Sequence, residues 1–298
     1  MVEEHNTIEE FQEAPPRVSE WRRFWRVFFQ RKIVLFGLII LALLMLTAAF
    51  ADFLAPHDPY RGILKDSLLQ PNSTYWLGTD IQGRDTLSRL ILGARTALLV
   101  GFVTTFFAAI AGIALGLIAG YFGGIINMII MRIMDALMGF PMLLLALIMA
   151  AVLGGGIQNV IIALAVAILP GYARVMHGLT LSIRENDYIL AERAMGANNL
   201  RTMIRHIFPN ALAPMIVLVT MQLGTLILAE AALSFLGIGI KPPGAAWGAM
   251  AFDGYRYLLS HPVLSFAPCM AIMLVVFSFQ LVGDGLRDAL DPRLRGIL

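Results

Sequence analysis

An all-α membrane protein crossing the bilayer about six times is what this sequence predicts, on three observations. Of its 298 residues, 58% are hydrophobic and only 14% charged, and the mean hydropathy is +0.76. Soluble domains carry roughly a quarter charged residues to cover their water-facing surface, so much of this surface must face lipid. The apolar residues gather into runs of about 20, enough to cross a hydrocarbon core at about 1.5 Å per residue. Lys and Arg, finally, fall unevenly among the segments that join those runs.

The first run, 33–50, follows a polar lead that ends in Arg17, Arg22, Arg23, Arg26, Arg31 and Lys32. Ala49-Phe50-Ala51 resembles a processing site, but so long a lead and run suit an uncleaved anchor better. Five further spans are predicted at 97–119, 133–153, 160–173, 211–233 and 263–282. The fourth is long enough only if it starts near Gly156 and continues to Met176. Prolines 141, 170, 214 and 268 are tolerated where neighbouring helices supply the lost backbone partners.

With both ends in the cytoplasm, the inner segments hold 15 Lys and Arg and the outer segments 7, the bias expected of positive loops that resist translocation. Two outer segments exceed what a connection needs: 52–95, and 234–262 with Pro242, Pro243, Trp247, Tyr255, Tyr257 and Pro262. Such stretches cap a pathway or meet an external partner.

Several chemistries are excluded. A net charge of +2 offers nothing to nucleic acid, and Cys269, the only cysteine, permits no intrachain disulfide. The five histidines form no closely spaced ligand pair, and the 16 methionines sit mostly in apolar runs, where they pack. None of the three lysines follows a glycine-rich phosphate loop, so the chain hydrolyses no ATP and is not an enzyme.

The inner connection from Met176 to Asn210 is the informative one. Asn186 and Asp187 are natural caps for a helix over 188–195, and Gly196 supplies the left-handed residue that ends it. Asn198 caps a second helix whose Leu200, Met203, Ile204, Ile207 and Phe208 fall at i, i+3, i+4, i+7 and i+8, one apolar face opposite Arg201 and Arg205. Pro209 is expected to stop it. A rigid helix–turn–helix between two spans is a lever, because a flexible loop would absorb motion instead of passing it on.

Ala191-Glu192-Arg193-Ala194-Met195-Gly196, followed by Phe208-Pro209, resembles the cytoplasmic Glu-Ala-Ala loop of ATP-binding-cassette importer permeases. In register on Gly196 and Pro209, the pattern's Glu falls on Leu190, its alanines on Ala191 and Glu192, its Ile on His206 and its Leu on Phe208. The acidic group thus stands two places late. Leu77-Gly78-Thr79-Asp80, Gly83-Arg84-Asp85, Gly93-Ala94-Arg95, Ala119-Gly120-Tyr121-Phe122-Gly123-Gly124, Leu233-Ser234-Phe235-Leu236-Gly237, Trp247-Gly248 and the tail from Gly283 to Pro292 narrow the likeness to C-type dipeptide, oligopeptide and nickel permeases.

The resemblance implies the type I importer permease fold in the inner (plasma) membrane of a prokaryote. Its parts would be a cytoplasmic tail 1–32, a first span with long outer segment 33–94, a transmembrane core 95–284 holding the coupling loop 186–209, and a cytoplasmic tail 285–298. It implies a second homologous permease, two cytoplasmic ATP-binding subunits and an external solute-binding protein as partners, with lipid around them. This subunit would bind no cofactor, ATP and Mg belonging to the ATPases. The cargo would be di- or oligopeptides, with nickel or another small solute as the alternative. Leu190, Ala191, Glu192, Ala194, Gly196 and Pro209 would meet the ATPase, Glu192 pairing with a base there. Glu230 is a candidate for the substrate path, and Arg132 and Asp135, three apart, are expected to neutralise each other. An ion-coupled secondary transporter is the rival, but neither an internal repeat nor mid-span charge supports it.

Overall fold

The computed structural model describes residues 20–290; Arg17, Arg293 and Arg295 of the predicted tails lie outside them. The chain opens with α1 (Glu20–Gln30), breaks at Arg31 and enters the first span, α2 (Lys32–Ala49), with a short turn α3 (Ala51–Leu54) beyond it. The expected 1–32 tail therefore holds a helix of its own. Residues 55–85 run without a long element to α4 (Thr86–Phe122), which Asp85 caps by accepting the Ser88 N–H at 3.0 Å.

Two helices, α5 (Gly124–Met138) and α6 (Met142–Leu153), occupy the place of the third predicted span and bend by 89° at their junction. The predicted third span is thus not one straight helix. The break falls at Gly139-Phe140-Pro141, where proline lacks an N–H and pushes the residue before it out of helical geometry. Beyond it come α7 (Ile157–Arg184), α8 (Asp187–Ala194), α9 (Asn199–Thr202), α10 (Phe208–Phe235), α11 (Trp247–Tyr255) and α12 (Val263–Leu290). The last runs past the expected boundary at 284, so 285–290 continue its helix. Among the described residues, five helices have the length and apolarity to cross a membrane, and the bent pair makes up to six. Pro170, Pro214 and Pro268 lie inside helices, as expected of spans.

The core sits where α4 crosses α7. Gly112, Gly116 and Gly120 recur every four residues on α4, so one helical face presents bare backbone. A Cβ on Gly116 would stand 2.3 Å from the Ala173 carbonyl oxygen, so the two backbones touch. Leu164, Tyr172 and Met176 of α7 are fully buried beside it, joined by Met215 and Leu226 from α10. Gly116→Val should therefore lower stability by about 1–3 kcal/mol through overpacking, read as an earlier thermal unfolding midpoint in detergent. Outward-facing Leu35, Phe36, Ile39 and Leu43 of α2 are exposed, as a lipid-facing span requires.

Candidate functional site

The loop between α7 and α10 is folded and packed. Arg184, closing α7, donates to the Gly120 carbonyl at 2.8 Å and the Tyr121 carbonyl at 3.3 Å, tying the ends of α7 and α4 together. Beneath the loop lies a small core of Tyr121, Ile189, Met203 and Ile207, with Leu117 and Ile183 against it. The Tyr121 hydroxyl donates to Asn199 Oδ1 at 2.8 Å. These contacts join α8 to the ends of α4 and α7.

The turn between the loop's two halves has the predicted chemistry. Gly196 adopts φ +86°, its N–H bonded to the Arg193 carbonyl at 3.0 Å, and the Asn198 side chain accepts the Leu200 N–H at 3.2 Å. Asn186 stands at the N-cap of α8, but its side chain instead donates backward to the Ile183 carbonyl at 2.8 Å.

Two expectations need correction here. Pro209 does not stop the second helix. Residues Met203–Ile207 form a π-helical turn in which the Phe208 N–H reaches the Met203 carbonyl, and the helix runs through Pro209 into α10. The wide turn absorbs the proline's missing donor, while Asn210 Nδ2 caps the His206 carbonyl at 2.6 Å. The single apolar face is also split: Met203 and Ile207 point inward, whereas Leu200 and Ile204 are exposed. Glu192 is only 12% exposed at its side chain and already engaged, with Oε1 2.9 Å from His206 Nε2 and 3.8 Å from Arg201 Nε. It has found its base inside the loop.

The pair joins two of the four positions where the sequence departs from the importer pattern, Leu190 and Phe208 being the others. Sequence reasoning missed His206 because its 14-residue separation from Glu192 becomes contact only once Gly196 reverses the chain. Ala191, Ala194 and Gly196 are exposed, beside Leu190 at 50% and Met195 at 82% exposure. Apolar residues left open on a folded tip mark a surface for a partner.

Nearby, Asp135 pairs with Arg174 of α7 rather than with Arg132, so the charge links two helices instead of neutralising one. Glu230, the candidate for the substrate path, is 1% exposed inside the subunit and accepts the Ser234 hydroxyl at 2.6 Å.

At the opposite end the two long segments, 52–95 and 234–262, form one cap. Arg89, 4% exposed, donates to the carbonyls of Pro59 at 3.0 Å, Pro243 at 3.4 Å and Gly244 at 3.3 Å. Asp80 Oδ2 lies 3.5 Å from Arg89 and 2.7 Å from Arg84 Nε. Trp247 lies against Gly93 and donates to the Leu90 carbonyl at 2.9 Å, while Gln70 reaches the Ser260 carbonyl at 2.7 Å. Burial, and next the Asp80 carboxylate, push the Asp253 carboxyl above its usual value, against Arg84, Arg89 and Arg256.

The bundle thus carries a packed loop at one end and a stapled cap at the other. Residues 112–296 match the family described as binding-protein-dependent transport system inner membrane component. The chain belongs to that family. This permease also matches, over residues 19–71, the N-terminal TM domain of oligopeptide transport permease C. It is 41% identical over 279 residues to the glutathione transport system permease protein GsiD of Escherichia coli O157:H7, covering 93% of this chain and 92% of that one. The GsiD protein of Shigella sonnei strain Ss046 gives the same figures. Among solved structures, the inward-facing MetNI methionine ABC transporter shares the fold, with a TM-score of 0.56 and 24% identity over 68% of this chain and 96% of that one. The permease is thus a multi-pass inner-membrane transport component rather than an enzyme.

Proposed function

We propose that this permease imports peptides as the C-type subunit of an ATP-driven importer, moving cargo by alternating access. The single observation that carries the peptide reading is its identity to glutathione permeases over nearly the whole length of both chains. A glutathione-sized peptide is therefore the first cargo to test, and nickel or another small solute the second.

The loop end faces the cytoplasm in this reading, with both termini, because its segments carry the Lys and Arg excess. The cap faces a solute-binding protein. Two cytoplasmic subunits hold ATP and Mg, and their closure presses on the surface made by Leu190, Ala191, Ala194, Met195 and Gly196. The small core under the loop passes that push to α4 and α7. The broken pair α5 and α6, with Ile125, Ile129 and Ile133 exposed, offers an apolar flank to a second, homologous permease.

Glu192 and His206 brace the lever rather than grip the ATPase. Glu192→Ala should reduce binding-protein-stimulated ATPase activity, whereas Glu192→Gln, which still offers an oxygen to the His206 N–H, should retain most of it. Equal loss in both variants would show instead that charge toward the ATPase matters.

Uptake of radiolabelled glutathione, dipeptides and nickel, in cells with and without the complete assembly, tests the cargo. Peptide uptake that needs this chain is the expected result. Uptake confined to nickel would reject the peptide reading and leave the permease assignment intact.

A further inference from the structure

We infer that α1 is an interfacial helix that gathers anionic phospholipid headgroups beside the first span. Its apolar residues, Trp21, Phe24, Trp25, Phe28 and Phe29, fall at i, i+3, i+4, i+7 and i+8, and all five are aromatic. Arg22, Arg23 and Arg26 occupy positions between them. This is the pattern of a helix lying in the plane of a membrane surface, with amphipathic rings at headgroup level and cations toward phosphate.

The structure fixes where that helix sits. Phe28 is buried, and Arg31 forms an ion pair with Asp288 of α12 at 2.6 Å. Only the extended residue Arg31 separates α1 from α2, so α1 lies at the depth where the first span begins. Trp25 and Phe29 stack at 5.3 Å between ring centroids and are 39% and 47% exposed. Their exposed edges continue into Ile33, Leu35 and Phe36 of α2, which is lipid-facing surface already. That continuity argues for the bilayer as the occupant, in preference to a soluble protein.

The charge argues for its composition. Residues 20–32 hold Arg22, Arg23, Arg26, Arg31 and Lys32 against one acid, Glu20. Each cation near an anionic membrane surface strengthens association by about fivefold at moderate ionic strength. The zwitterionic phosphatidylcholine headgroup gives no such gain. The inference stands apart from the cargo, since it concerns the outer surface of the bundle.

Bromine-labelled lipids test it, because they quench tryptophan only on contact. The intact protein is reconstituted into nanodiscs of mixed phosphatidylcholine and phosphatidylglycerol, with the label on one lipid or the other. Labelled phosphatidylglycerol should quench several-fold more than labelled phosphatidylcholine at matched mole fraction. Trp21→Phe and Trp25→Phe together should remove most of that difference, which assigns the contact to α1 rather than to Trp76 or Trp247. Arg26→Gln should narrow it, and adding Arg22→Gln and Arg23→Gln should abolish it while the melting temperature stays unchanged. Equal quenching by the two lipids would overturn the inference. So would a Trp25 signal protected from both lipids, the result expected if a protein covers the helix.

Discussion

Gly196→Asp is expected to insert into the membrane normally but to lose transport-coupled ATP hydrolysis. The residue holds φ +86° at the end of α8, and a Cβ placed there meets no atom of the chain within 4 Å. Overcrowding within the subunit is therefore not the cause. Two effects remain, and a series separates them. Gly196→Ala incurs only the left-handed backbone, about 1–2 kcal/mol for an ordinary residue. Gly196→Asn tolerates that backbone and adds bulk without charge, and Gly196→Asp adds the charge. If the exposed turn seats against an ATPase, stimulated ATPase activity falls in all three and furthest in Asp, by about 5- to 30-fold for a loss of about 1–2 kcal/mol. Expression and melting temperature should barely move in Asn and Asp. A coupled, transporting Gly196→Asp protein would remove the turn from the interface.

Arg89→Ala is expected to unfold the cap. The substitution strands the carbonyls of Pro59, Pro243 and Gly244 and takes a cation from Asp80, at a site 4% exposed. Breaking a buried charged pair by removing one partner costs about 3–5 kcal/mol. Arg89→Lys keeps the charge but lacks the planar fork that reaches three carbonyls at once, so it should recover only part of the loss. Thermal unfolding in detergent reads the stability. Limited proteolysis should show 55–85 and 236–262 becoming cleavable together, because one side chain holds both. Cleavage of only one segment would show that the staple is not shared.

The bundle was legible from composition, because a long uncharged run has few alternatives to crossing a bilayer. The bend in the predicted third span was not. Its residues are apolar throughout, and Pro141 can either kink a helix or end it depending on what its neighbours supply. The Gly196 turn was readable for the opposite reason: left-handed geometry and an Asn cap are local requirements written in local residues. Pro209 misled, since a proline reads as a stop until a π-helical turn upstream takes up its missing donor. Pairings defeated sequence reasoning most. Asp135 has Arg132 one turn away yet pairs with Arg174, and Glu192 reaches His206 only after the chain doubles back. Burial was equally hidden for Glu230, whose position near a span end fits a pathway as readily as an interior.

The lever claim rests on contact, and contact can be trapped. A photo-cross-linking residue placed at Leu190 or Met195, both open on the loop tip, should yield an adduct with an ATP-hydrolysing subunit whose amount changes between nucleotide-free and ATP-bound assemblies. The same residue at exposed Trp76 of the cap should capture the solute-binding protein and never the ATPase. Adducts with the ATPase from the cap, or none from the loop in any nucleotide state, would contradict the account.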